Sequence, residues 1–99
     1  MRNDRNEDAQ SMKDAVDGFL KAMGIDKKVH EASVLNQWEE MMGTAVASRT
    51  EKKMIKDRVL ILEINSSVMR EELLQSKGKI IQKINEAAGF EMIEDVYLK

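Results

Sequence analysis

The sequence contains no cysteine and no proline, and only one histidine, one tryptophan, one tyrosine and two phenylalanines in 99 residues. Without cysteine there can be no disulfide, iron–sulfur cluster, thiolate zinc site or cysteine nucleophile. His30, the one imidazole, falls outside the apolar positions of its segment and has no histidine four residues on, so it reads as a surface residue rather than a metal ligand. A Ser–His mechanism therefore has a single base to build on. No phosphate-binding loop, GxGxxG or HExxH is present. The carboxylate pairs Glu39-Glu40, Glu71-Glu72 and Glu94-Asp95 fall on helix surfaces or in a terminal strand, where charge is ordinary. No enzymatic activity, cofactor, metal or small-molecule substrate is expected. No apolar run approaches the roughly 18 residues of a membrane helix, and no secretory segment follows MRNDRNEDAQ, so the expected place is the cytoplasm.

What is present is an apolar fraction of 42% beside a charged fraction of 34%, the balance of a helix-rich globular chain. The length suits one domain, expected over residues 11–99, behind a flexible charged tail at 1–10. A net charge of −2 argues against coating nucleic acid by bulk attraction. The sum hides a local exception. Between Glu51 and Arg58 the four cations Lys52, Lys53, Lys56 and Arg58 stand against two acids, and Arg70, Lys77, Lys79 and Lys83 follow. These eight residues are the candidate contacts for an acidic partner or for DNA or RNA phosphates, which they would hold weakly and without sequence specificity. They are equally the composition of a solvated face, and a lysine-rich strand is also what a protected sheet edge looks like.

The chain is organised around Val59–Asn85. Leu60, Leu62 and Ile64 alternate with Val59, Ile61 and Glu63, which is strand spacing. After Ser66 and Ser67 the apolar residues Met69, Leu73, Leu74, Ile80, Ile81, Ile84 and Ala88 fall at the three-and-four spacing of one long amphipathic helix. Either serine can cap it, Glu71 and Glu72 add charge that suits its positive end, and Gly89 suits its close. Ahead of this hub, Ser11 with Asp14 resembles a capping box for a first helix through Met23, closed by Gly24. Asp26 can cap a second, whose stripe Val34, Leu35, Trp38, Met41, Met42, Ala45 and Val46 is interrupted at Gly43 by a kink, or by an end and a short extra turn through Ala47. Trp38 sits mid-stripe as a core anchor. Thr50–Lys56, a weak alternation, and Val59 onward form a hairpin around Asp57-Arg58, whose turn lacks the glycine or asparagine that two-residue turns favour. Met92–Leu98 supplies the last strand, parallel to the one before the helix. The fold class is α+β, ordered α-α-β-β-α-β, with a small three-stranded mixed sheet and helices on one face.

That order invites comparison with KH-type RNA readers, but their GXXG loop is missing; Gly78 stands alone in SKGK. The closer resemblance is carried by Trp38-x4-Gly43, Val46-Ala47 and Thr50, VLILEINSS, Glu72-Leu73, and Ile84-Asn85 before a terminal strand. Together over residues 12–99 these resemble the DciA family of bacterial proteins. The resemblance implies a KH-like fold, an interaction with the replicative DNA helicase that helps place it on DNA, and no ATPase activity. It departs in places: many relatives carry glycine where this chain has Arg58, a proline near Glu51 and an aromatic residue near Met69. Longer members also carry a basic flexible extension associated with DNA contact, where this sequence has the mixed-charge segment 1–10.

Overall fold

The computed structural model describes residues 26–99 together with Gly18, Ala22 and Gly24. The expected tail at 1–10 lies outside the described residues, and so does the expected helix Ser11–Met23 apart from Gly18 and Ala22, which are helical. The chain divides into two units, residues 1–30 and 31–99, and the second carries the sheet.

Helix α1, Lys27–Leu35, starts where Asp26 can cap it: Asp26 Oδ1 accepts from the backbone N–H groups of Lys28 at 2.8 Å and Val29 at 3.2 Å. The stripe that follows is divided in two places, not one. The Gln37 N–H takes the Val34 carbonyl at 3.0 Å, three residues back instead of four, and ends α1 before α2, Trp38–Met42. Gly43 then adopts φ 91°, ψ 163°, a backbone conformation open essentially to glycine, and α3, Thr44–Arg49, runs two residues past the expected Ala47.

Strands β1, Thr50–Lys56, and β2, Val59–Ile64, form the expected antiparallel hairpin. Its turn residues Asp57 and Arg58 both have positive φ, 51° and 65°, which identifies the mirror-image type I′ turn that matches strand twist. Register runs from Lys56 opposite Val59 to Lys52 opposite Glu63, then shifts by one so that Thr50 faces Ile64. Glu51 is thus a bulge residue, the sort of position where a strand tolerates proline. The bulge has a packing consequence. It turns Thr50 to the inner face, where its hydroxyl donates to the Val46 carbonyl at 2.8 Å and accepts from Trp38 Nε1 at 3.1 Å. Trp38 is 2% exposed, so this bond satisfies an indole N–H that would otherwise be buried without a partner.

The expected single long helix is two, α4, Ser67–Leu74, and α5, Lys77–Ala88. Ser66 is the serine that caps α4, accepting from the Met69 N–H at 3.2 Å, and Glu71 and Glu72 fall beyond its first turn. The break at Gln75-Ser76 is invisible to periodicity. Leu73 and Ile80 are seven residues apart, nearly two turns, so both can reach one core whether or not the backbone between them is continuous. Here the Ser76 N–H bonds the Leu73 carbonyl at 2.9 Å, a turn tighter than the α-helix, and its own carbonyl receives Lys79 and Ile80 at 3.0 and 3.1 Å. Gly89 ends α5 in the left-handed conformation, as expected.

Strand β3 is shorter than expected, Asp95–Leu98, and pairs parallel with β2 in the order β1-β2-β3. Met92 and Ile93 are not strand but are fully packed: the Asn85 side chain accepts from the Ile93 N–H at 3.0 Å and donates to its carbonyl at 3.1 Å. One face of the sheet carries the core. Leu60, Leu62, Ile64, Ile55 and Val96 join Leu73, Ile80, Ile84, Ala88, Val34, Leu35 and Trp38 from the helices in a single cluster. Full burial of each large aliphatic side chain stabilises the fold by roughly 1.5–3 kcal/mol. The other face is open, with Met54 51% and Tyr97 57% exposed on either side of Ile61.

Candidate interaction surface

The hairpin builds most of the candidate surface. On the open face β1 presents Lys52, Met54 and Lys56 at alternate positions, opposite Glu63, Ile61 and Val59. Lys53 projects on the opposite side of the strand, opposite Leu62, and remains exposed because β1 is the sheet edge. Among the described residues the side chains of Lys52, Lys53 and Lys56 take part in no hydrogen bond or ion pair, and neither does Lys79 on α5.

The other four candidate cations are engaged within the chain. Arg70 is half-buried; its Nη2 donates to the Ile64 carbonyl at 2.8 Å and its Nε to the Lys99 carbonyl at 3.0 Å, so it ties α4 to the ends of the two parallel strands. Arg58 pairs with the Glu91 carboxylate at 3.2 Å and reaches its carbonyl at 3.4 Å, while its own carbonyl receives the Glu94 N–H at 2.8 Å. These contacts hold the hairpin turn to the segment before β3. Lys77 pairs with Asp95 at 3.7 Å, and Lys83 donates to the Met41 carbonyl, the last turn of α2, at 3.0 Å. The eight residues therefore do not form one patch. Three converge on β1, Lys79 stands unengaged on α5, and four act as ties.

No group of three His, Cys, Asp or Glu residues among those described could hold a metal ion, and no described helix is long and apolar enough to cross a membrane.

The family model described as "Dna[CI] antecedent, DciA" matches residues 11–98. The chain belongs to the DciA family. Among curated relatives, a UPF0232 protein of Corynebacterium glutamicum is 27% identical over 88 residues, which covers 89% of this chain and 49% of the relative. Another UPF0232 protein, from Rhodococcus jostii, is 27% identical over 82 residues, 83% of this chain and 44% of its own. The chain spans about half the length of the curated relatives it matches. No solved structure matches it.

The residues that carried the DciA resemblance prove architectural. Trp38 and Thr50 bond each other, Gly43 makes the break between α2 and α3, Ser66 caps α4, Leu73 and Ile84 fill the core, and Asn85 clamps Ile93. What sequence reasoning missed are the acceptors: Glu91 for Arg58, and the carbonyls of Ile64, Lys99 and Met41 for Arg70 and Lys83. Backbone carbonyls leave no signal in side-chain identity, and Glu91 lies 33 residues from its partner.

Proposed function

We propose that this DciA-family chain is a non-enzymatic cytoplasmic adaptor that assists loading or operation of the replicative DNA helicase through protein contacts. The family match over residues 11–98 carries the reading. The described part of the chain supports it in a limited way: of the four candidate cations left unengaged, three lie on β1, a surface suited to an acidic protein partner.

The same lysines support a second reading, a small KH-like nucleic-acid-binding module contacting phosphates through the hairpin and the helix face. Against it, Arg70, Lys77 and Lys83 on the helix side are already held within the chain. Salt separates the two. Phosphate contacts release counterions, so affinity falls steeply with rising salt, whereas a mostly buried protein interface responds less.

The test mixes the purified chain with the replicative helicase of its own host, reads complex formation by light-scattering chromatography, and titrates a single-stranded oligonucleotide in parallel across a salt series. A helicase complex without oligonucleotide binding supports the adaptor. Salt-steep oligonucleotide binding with no helicase complex favours the nucleic-acid module. Silence in both sinks both readings. Charge reversal of Lys52, Lys53 and Lys56 is expected to weaken whichever complex forms while leaving the fold intact.

A further inference from the structure

Among the described residues strand β1 lies at the edge of the sheet, with no strand beside its outer side. The hairpin geometry fixes which of its backbone groups face outward. In a two-residue turn the closing pair, Lys56 and Val59, exchanges hydrogen bonds, and bonded and non-bonded pairs alternate from there. Lys56, Met54 and Lys52 therefore direct their N–H and C=O groups to β2, while those of Ile55 and Lys53 point away from it. No turn or loop bond reaches the outward groups of these two residues among the described part of the chain. They form a donor–acceptor ladder ready for one more strand.

The side chains say what kind of strand. Lys52, Met54 and Lys56 stand at alternate positions on the open face, Met54 51% exposed and the lysines without a side-chain hydrogen bond or ion pair among the described residues, although Lys52 lies across from Glu63. Lys53 adds a cation on the other face. Self-pairing in the register centred on Met54 is disfavoured: an antiparallel second copy of β1 would set Lys52 against Lys56 twice, and like charges directly opposite repel. The other sheet edge is less available, since β3 has only four residues and its Asp95 is held by Lys77 at 3.7 Å and by the Val96 N–H at 2.8 Å.

The geometry points to the outer edge of β1 as a docking site for an extended acidic peptide, which adds antiparallel as a fourth strand with acidic, apolar and acidic residues opposite Lys56, Met54 and Lys52. A fourth residue, opposite Lys53, is also acidic. The incoming apolar side chain extends the row Met54, Ile61, Tyr97 across the open face. Main-chain pairing supplies affinity and the alternate side chains supply selection, the mode called strand addition. A peptide fits this edge better than a nucleic acid because the edge offers carbonyl acceptors as well as N–H donors, and phosphates can use only the donors. The inference rests on the strand edge itself and is independent of the helicase reading.

The experiment uses the full chain and a fluorescein-labelled, end-blocked peptide, Ser-Glu-Val-Leu-Glu-Glu-Ser, followed by fluorescence anisotropy at low salt. A second peptide is N-methylated at Val and at the Glu that follows Leu, the residues opposite Ile55 and Lys53, which keeps the charges but removes the N–H groups that complete the ladder. Saturable binding of the first peptide and at least about tenfold weaker binding of the second are expected. Charge reversal of Lys52, Lys53 and Lys56 together should also cost about tenfold or more, since each cross-strand charge pair is worth roughly 1.4- to fivefold, while Lys79→Glu changes little. Amide exchange at Ile55 and Lys53 should slow in the complex. Equal binding of the two peptides reduces the effect to diffuse charge and overturns the proposal, as does unchanged binding by the triple variant. Failure of the peptide to bind, with an oligothymidylate binding through the same lysines, overturns it in favour of a phosphate surface. None of these outcomes depends on the helicase, so loss of that reading leaves this one standing.

Discussion

Two sets of cations that look alike in sequence behave differently in the fold. Among the described residues Lys52, Lys53 and Lys56 on β1 make no side-chain hydrogen bond or ion pair, whereas Arg70, Arg58, Lys77 and Lys83 each meet an acceptor on another element. The difference follows from position. A strand at a sheet edge has a neighbour on one side only, so its side chains extend past the last element. Arg70, Lys77 and Lys83 lie on helices where strand ends and a neighbouring helix end come within reach of a long side chain, and Arg58 sits in the hairpin turn beside the segment before β3. Charge on the first set is free for a partner; charge on the second is spent on orientation within the chain.

The largest expected effect tests the second set. Arg70→Ala removes two charge-assisted hydrogen bonds to backbone carbonyls from a half-buried site and should lower stability by about 2 kcal/mol, read by urea unfolding. Arg70→Lys should recover only part of it, because an ammonium cannot span both carbonyls as a guanidinium fork does. A loss below about 0.5 kcal/mol in the alanine variant would erase the distinction between the two sets. Lys83→Ala is next, at about 0.5–1 kcal/mol, since its single bond to the Met41 carbonyl is solvent-exposed.

Arg58→Gly sharpens the comparison because two effects oppose. A left-handed non-glycine residue costs roughly 1–2 kcal/mol, which the substitution relieves, while the partly exposed pair with Glu91 is worth about 0–1 kcal/mol. We expect a net gain of about 0.5 kcal/mol by thermal unfolding, and no further change on adding Glu91→Ala. A net loss would mean that the tie to Glu91 outweighs turn strain. Smallest of all is the stability effect of replacing Lys52, Lys53 and Lys56 together by alanine, expected within about 0.5 kcal/mol of the parent in denaturant titration. A larger loss would show that these lysines support the hairpin, and would place them with the ties.

How much could be read beforehand varied with the range of the interaction concerned. The strict alternation of Leu60, Leu62 and Ile64 gives β2, the pair Ser66-Ser67 a cap without saying which serine, Gly43 a kink or an end, and Trp38 an anchor, because each is a local pattern or a conformation few residues can adopt. The breaks at Gln37 and Ser76 leave no trace in the pattern: the apolar stripe stays in phase across both, and only backbone bonds three residues back reveal them. Hydrophobicity extends the last strand to Met92 and Ile93, yet the Asn85 clamp packs them as a loop. Likewise the hairpin was legible, but its bulge was not, since the shift that turns Thr50 inward answers to an indole twelve residues away.

The sequence by itself determined the element order, the mixed three-stranded sheet, the inward face of β2 and the concentration of lysines on the hairpin. Periodicity and composition are sufficient for these, because burial must follow the repeat of the backbone. Which of eight cations remain free was decided only by the tertiary structure. A charged side chain carries no mark of its partner, and the acceptors that claim Arg70, Arg58 and Lys83 are carbonyls and a carboxylate brought near only when the helices close over the sheet.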